Sequence, residues 1–311
     1  MLKKSILFIL SIVLTSMLFA AGRNEEQPIK VAFLPIIDSL PFYIAVEEGY
    51  FESEGISVKA VPVSSPVERD QLMQAGEING MLNELSSTAI FNQNEIQIQT
   101  VQIVRMATEE SPVFRILSSP KSGISSPVEL AGVAIGVSKN SIIEYLTDRI
   151  LQNEGLSNDQ ITVKSVPVIP ERFQLLMSGQ IGAATLPDPL AQAAVAAGAI
   201  EVIDDSKYPE YSMSVLSFNM TTIKEQGSSL KKFMKAWNKA VAALNENPEK
   251  YRDLFLAKIP VPPSVSATFI IPPFADQQLP AESHWDDVLN WLEDKELISA
   301  RPSYRDSVND L

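Results

Sequence analysis

The 311-residue chain is 45% hydrophobic and 20% charged, a globular composition with length for two modest cores, which excludes intrinsic disorder. A formal charge of −13 argues against nucleic acid and anionic membrane surfaces as partners. Cysteine is absent, which excludes disulfides, cysteine nucleophiles, cysteine-ligated metals and a lipid on an N-terminal cysteine.

In chain order, M-L-K-K heads an apolar run from Ser5 to Phe19 that ends in Ala20-Ala21-Gly22. A basic head, an apolar stretch and a small-residue end form the pattern of a secretory leader over residues 1–22, cleaved before Arg23. The run falls short of the ~20 residues that span a bilayer, so no stable membrane insertion is expected after cleavage. Export without a lipid anchor points to the periplasm of a double-membraned cell.

Strand and helix then alternate. Residues 30–34 read as strand, 41–48 as helix, 58–63 as strand, 68–75 as helix and 78–82 as a short strand. The series recurs as strand 133–137, helix 141–153, strand 161–168, helix 171–178 and strand 181–185. V-K-A-V-P-V begins at Val58 and V-K-S-V-P-V at Val163. Once two residues are dropped from the first loop, Glu68, Arg69, Gln71, Leu72, Gly76 and Ile78 fall opposite Glu171, Arg172, Gln174, Leu175, Gly179 and Ile181. One structural unit is used twice. Such alternation predicts an α/β fold in which each lobe is a mostly parallel sheet flanked by helices. Two such sheets facing one another across a hinge make a clamp with a ligand cleft at the carboxyl ends of the strands.

Serine with glutamate three residues on, at Ser65, Ser126 and Ser141, marks three helix starts as capping boxes. After the second unit, residues 213–220 are extended. Leu230, Phe233, Trp237, Ala240, Val241 and Leu244 then recur on one helical face. Prolines between Pro260 and Pro280 precede a last amphipathic helix around Trp285, Val288, Leu289 and Leu292, and this end of the chain is expected to pack as a helical layer.

The stretch L-P-F-Y-I-A-V-E-E-G-Y-F-E-S-E-G-I (40–56) resembles the start of the periplasmic binding proteins of nitrate, sulfonate and taurine importers and their thiamine-precursor relatives, the SsuA/NMT1-like family. The resemblance continues through Q-L-M-Q-A-G-E-I-N-G (71–80), S-S-P-V-E-L-A-G-V-A-I-G-V (125–137), S-G-Q-I-G-A-A-T-L-P-D-P (178–189) and W-D-D-V-L-N-W-L-E-D-K-E-L-I (285–298). It implies a type II two-lobed clamp with crossings near 113–118 and 212–218. Residues 23–114 with 215–311 would form lobe 1 and 115–214 lobe 2. It also implies a monomer that captures a small molecule and delivers it to an ABC permease driven by a cytoplasmic ATPase. No Walker-type glycine loop occurs here, so ATP chemistry belongs to those partners. No cofactor or metal is expected.

Candidate ligand-binding residues lie on the strand-to-helix loops. Pro35, Asp38 and Ser39 follow the first strand, Asp38 either accepting from a ligand amine or capping the next helix. Ser64 follows the second strand, while Ser65 reads as a cap. Asn83 and Glu84 follow the third, with Asn83 favoured and Glu84 either in the crevice or solvated. In the second lobe Ser138, Lys139, Asn140 and Ser141 precede a helix N-terminus, where free amides suit an anionic or carbonyl group. Pro187 and Asp188 match a position that usually reads Glu-Pro in the family, and Asp188 also fits a helix cap. Asp38, Glu84 and Asp188 against Lys139 alone point to a neutral or cationic nitrogen heterocycle of the pyrimidine type, with a sulfonate or taurine-like compound as the other candidate. The alternatives are a thiamine-pyrimidine-synthase-like enzyme and a ligand-presenting sensory subunit. Catalysis is disfavoured by the single histidine, His284, expected beyond both sets of crevice loops.

Overall fold

A computed structural model describes residues 27–311; the expected leader and its cleavage site lie outside the described residues. The first unit runs β1 (Ile29–Phe33), α1 (Leu40–Glu47), α2 (Tyr50–Ser53), β2 (Val58–Pro62), α3 (Pro66–Gln74), β3 (Gly80–Asn83), α4 (Leu85–Asn92) and β4 (Ile98–Met106). The second runs β5 (Phe114–Ser118), β6 (Ala134–Val137), α5 (Ile142–Asn153), β7 (Thr162–Ser165), α6 (Ile169–Ser178), β8 (Ala183–Pro187), α7 (Leu190–Ala196) and β9 (Ile200–Asp204). The chain ends with β10 (Met213–Asn219), α8 (Met220–Glu225), α9 (Gly227–Glu246), α10 (Arg252–Lys258), α11 (Glu282–Asp294) and α12 (Tyr304–Ser307).

The strands form two sheets of one plan, ordered β2-β1-β3-β10-β4 and β7-β6-β8-β5-β9. In each, three parallel strands meet one reversed strand, the one the chain forms on crossing from the other sheet: β10 pairs antiparallel with β3 and β4, β5 with β8 and β9. Each lobe is therefore completed by a crossing. The registers repeat as well, with Val31 beside Gly80 in one sheet and Ile135 beside Ala183 in the other.

Lobe 1 is organised by aromatics. Phe33 lies 4.8 Å from Phe42 between ring centres, Phe51 lies 5.0 Å from Phe233, and Trp237 stacks on Phe33 at 6.5 Å. The apolar stripe read from α9 supplies Phe233 and Trp237, so burying that face docks the helix on α1 and α2. Gly80 is bare because a Cβ there would fall 2.5 Å from the Phe218 ring.

Departures from the sequence pattern have physical causes. Strand β7 stops at Ser165, since Pro167 has no N–H for a ladder. Helix α4 carries Ser86, Ser87 and Thr88, all buried, and so lacks an apolar stripe. The proline-rich segment between α10 and α11 forms a strap rather than part of a helical layer: Ile103 N donates to Gln278 O at 2.9 Å and Ala275 N to Val104 O at 3.2 Å, covering the β4 edge. Helix α11 packs on α4 of lobe 1 and is tied to α5 of lobe 2, where Tyr145 and Arg149 donate to Asp287 at 2.7 and 3.0 Å and Trp291 donates to Asp148 at 2.8 Å.

Candidate functional site

Between the lobes lies a cavity of about 30 Å³ at the carboxyl ends of the strands. Lobe 1 contributes Leu34, Ile36, Asp38, Pro66, Arg69, Leu82, Asn83, Glu84 and Ser214; lobe 2 contributes Phe114, Ile142, Ile143, Ile169 and Pro187. The space suits roughly one or two waters, so the lobes are drawn together. Apolar side chains meet across the cleft, and Ile169 N reaches Ser64 O at 3.5 Å.

Of the expected residues, the fold brings Asp38, Asn83, Glu84 and Pro187 to this cavity. Asp38 is buried, taking a hydrogen bond from Arg105 Nη1 at 3.3 Å and from Ser214 Oγ at 2.7 Å. Arg105 also donates to Pro112 O at 2.9 Å, so Asp38 is linked to both crossings. Glu84 is held by two parallel bonds from Arg69, at 2.7 and 3.0 Å. Burial works to lower the Arg69 pKa, but Asp70 and Glu84 outweigh it and hold the guanidinium firmly charged.

Asn83 stands apart from these neutralised pairs. Its Nδ2 donates to Thr88 Oγ1 at 3.0 Å and to Glu84 O at 3.3 Å. A backbone carbonyl only accepts, so this contact fixes the amide orientation. The Oδ1 atom is left buried without a donor.

The remaining candidates lie elsewhere. Pro35 is half-buried beside the lining residues Leu34 and Ile36, and Ser39 donates to Ile36 O at 2.9 Å. Ser64 is exposed, with its N–H and hydroxyl on Glu68 at 2.8 and 2.7 Å; this places the return arm of the capping box one residue before Ser65. Ser138 and Ser141 are buried: Ser138 Oγ donates to Pro167 O at 3.0 Å and accepts from Arg172 Nη1 at 3.0 Å, while Ser141 Oγ donates to Ser138 O at 2.8 Å and accepts from Ile143 N at 3.2 Å. Lys139 and Asn140 are exposed and line an outer groove of about 560 Å³ along α3 and α4. Asp188 is buried on Arg115 and accepts from Gln192 N at 3.2 Å. Arg115 also meets Glu201 at 2.8 Å.

Two features were missed from sequence. The arginines that neutralise the carboxylates, Arg69, Arg105 and Arg115, sit within a helix and two strands rather than on the loops, so the expected carboxylate excess is cancelled. The available signal was an arginine inside otherwise apolar strands such as F-R-I-L-S, which is costly unless paired. His284, expected away from the crevice, lines a second small cavity of about 10 Å³ with Glu84, Ser86, Ile142 and Tyr145, because α11 folds back over the cleft. Burial lowers its pKa.

Two sheets of one plan, two crossings and a cavity between them define a two-lobed binding-protein clamp. The NMT1/THI5-like family model matches residues 36–251, and the chain belongs to that family. It is 24% identical over 272 residues to the formylaminopyrimidine-binding protein of Halalkalibacterium halodurans, covering 81% of this chain and 79% of that one. Its fold matches the alkanesulfonate-binding protein SsuA from Xanthomonas axonopodis pv. citri with a TM-score of 0.77 at 17% identity, over 92% of this chain and 99% of the other. The desulfurization enzyme DSZB shares the fold at a TM-score of 0.66 and 13% identity, over 91% of this chain and 96% of the other.

Proposed function

We propose that this chain is the solute-binding component of an ABC importer, capturing a small nitrogen heterocycle of the pyrimidine type between its lobes and delivering it to a membrane permease. The observation that carries the reading is the interlobe cavity, whose walls are largely apolar and whose lining includes Asn83 Oδ1, a buried side-chain acceptor with no donor among the described residues. A flat heterocycle buries its faces against such walls and supplies an N–H to that oxygen. The formylaminopyrimidine-binding relative supports the ligand class. A cavity this small requires the lobes to part for entry and close on the ligand, with the sheet of β1–β4 and β10 in one lobe and the sheet of β5–β9 in the other.

The reading places the working protein in the periplasm as a monomer after removal of residues 1–22. Among the described residues no helix is long and apolar enough to cross a membrane. The protein binds without chemistry. The enzyme alternative has the DSZB fold and the placement of His284 near Glu84 in its favour, whereas Glu84 is already held by Arg69. A melting screen of the chain from Arg23 onward against formylaminopyrimidine, other pyrimidines, taurine, alkanesulfonates and nitrate tests the proposal. A ligand at a hundredfold excess over Kd adds about 2.7 kcal/mol of stability. Stabilisation by a pyrimidine that is recovered unchanged is expected. A response to sulfonates alone, or a converted product, would overturn the reading.

A further inference from the structure

The duplicated E-R-x-Q-L segment places Arg69 on α3 and Arg172 on α6, and both side chains are fully buried. Arg69 is engaged at all three nitrogens: Nε donates to Asp70 at 2.8 Å, Nη1 to Leu82 O and Glu84, and Nη2 to Glu84. Arg172 has no counterpart of either carboxylate. Phe173 stands where Asp70 does, Pro187 falls opposite Glu84, and the next residue, Asp188, is engaged by Arg115. What remains is Nη1, donating to Val166 O at 2.8 Å and Ser138 Oγ at 3.0 Å, while Nε and Nη2 have no acceptor. Among the described residues no carboxylate pairs with Arg172.

Its position is at the ligand end of the sheet. Val166 follows β7 and Ser138 follows β6, so the guanidinium bridges the carboxyl ends of two neighbouring strands. Ile169, one helical turn earlier on α6, lines the interlobe cavity, as do Ile142 and Ile143 just after the Ser138 loop. The stem packs beside Gly136, where a Cβ would lie 2.7 Å from Ile181 Cδ1 and 3.4 Å from Arg172 Cγ and Cδ. The absence of an anion leaves burial unopposed, which pulls the Arg172 pKa down to about 9.

We infer that Arg172 is the specificity group of lobe 2, reading an oxygen acceptor on the ligand, a carbonyl or an anionic oxygen, through Nε and Nη2. This rests on the cleft being the ligand site, and it adds the ligand's second end: an N–H for Asn83 in lobe 1 and an oxygen for Arg172 in lobe 2. A buried guanidinium with three unused N–H groups gains most from an acceptor of that kind.

The test is titration calorimetry of wild type and Arg172→Met with formylaminopyrimidine and with the same aminopyrimidine lacking the formyl group. Wild type is expected to prefer the formyl compound at least tenfold. Arg172→Met is expected to lose that preference while keeping its affinity for the other compound, whereas a purely structural arginine would change both alike. An unchanged preference in Arg172→Met overturns the inference. If wild type binds neither compound, the pyrimidine reading fails, and the arginine is judged by melting in formate and methanesulfonate. Saturable stabilisation of wild type that is absent in Arg172→Met supports it; equal responses, or none, overturn it.

Discussion

The two lobes carry one sheet plan and one arginine each at matching places, yet the surroundings differ. In lobe 1 the arginine is locked to Glu84 and Asp70; in lobe 2 it is surrounded by neutral groups. The strand before the cleft differs in the same sense, running into Asn83-Glu84 in lobe 1 and into Leu186-Pro187 at the matching positions of lobe 2. The two units share a backbone plan, while the neighbours present in each make one arginine a fastening and leave the other an open donor. Buried polar groups left incomplete are the places in a folded chain where a ligand has most to offer.

The largest effect expected from this contrast is on stability. Arg69→Met leaves Glu84 buried without its cation and should cost about 3–5 kcal/mol in urea unfolding. Arg172→Met strands no carboxylate and should leave stability unchanged or raise it. Equal destabilisation by both substitutions would break the comparison.

Binding follows. Asn83→Ala removes the acceptor from lobe 1 and should weaken a pyrimidine roughly tenfold, about 1.4 kcal/mol, by calorimetry. An unchanged affinity would move the recognition away from β3.

A pH-dependent effect belongs to the hinge. Asp205 accepts from Val113 N and Phe114 N at 2.9 and 3.0 Å where the chain first crosses, and burial pushes its carboxyl up to about 7 from 3.8 despite those amides and Arg105. A pKa raised on folding means that the folded state binds the extra proton, so the contribution is complete below about pH 4 and is lost as pH rises through about 7. The stability of wild type relative to Asp205→Asn should therefore fall across that window. A flat difference would show that the two amides keep the carboxylate charged.

Much of the fold was legible in sequence because the repeat could be aligned residue by residue, from V-K-A-V-P-V to E-R-x-Q-L, and because strand and helix periods alternate cleanly in both units. Helix α4 was not, since its buried face is made of Ser86, Ser87 and Thr88, satisfied or enclosed only in three dimensions. Nor was the strap along β4, whose prolines read as punctuation. At the site, Asn83 and Asp38 were legible as loop residues at strand ends. The arginines were not, because pairing between Asp38 and Arg105, or Asp188 and Arg115, joins residues 67 and 73 positions apart. The same blindness hid Arg172, whose meaning depends on which neighbours fail to reach it.

The most direct test of the central claim is calorimetric titration of formylaminopyrimidine into the chain from Arg23 onward, followed by mass analysis of the recovered ligand. One molecule bound per chain and returned unchanged is the predicted result. No binding of this compound or other pyrimidines, with saturable binding of an alkanesulfonate instead, or a product of altered mass, would contradict it.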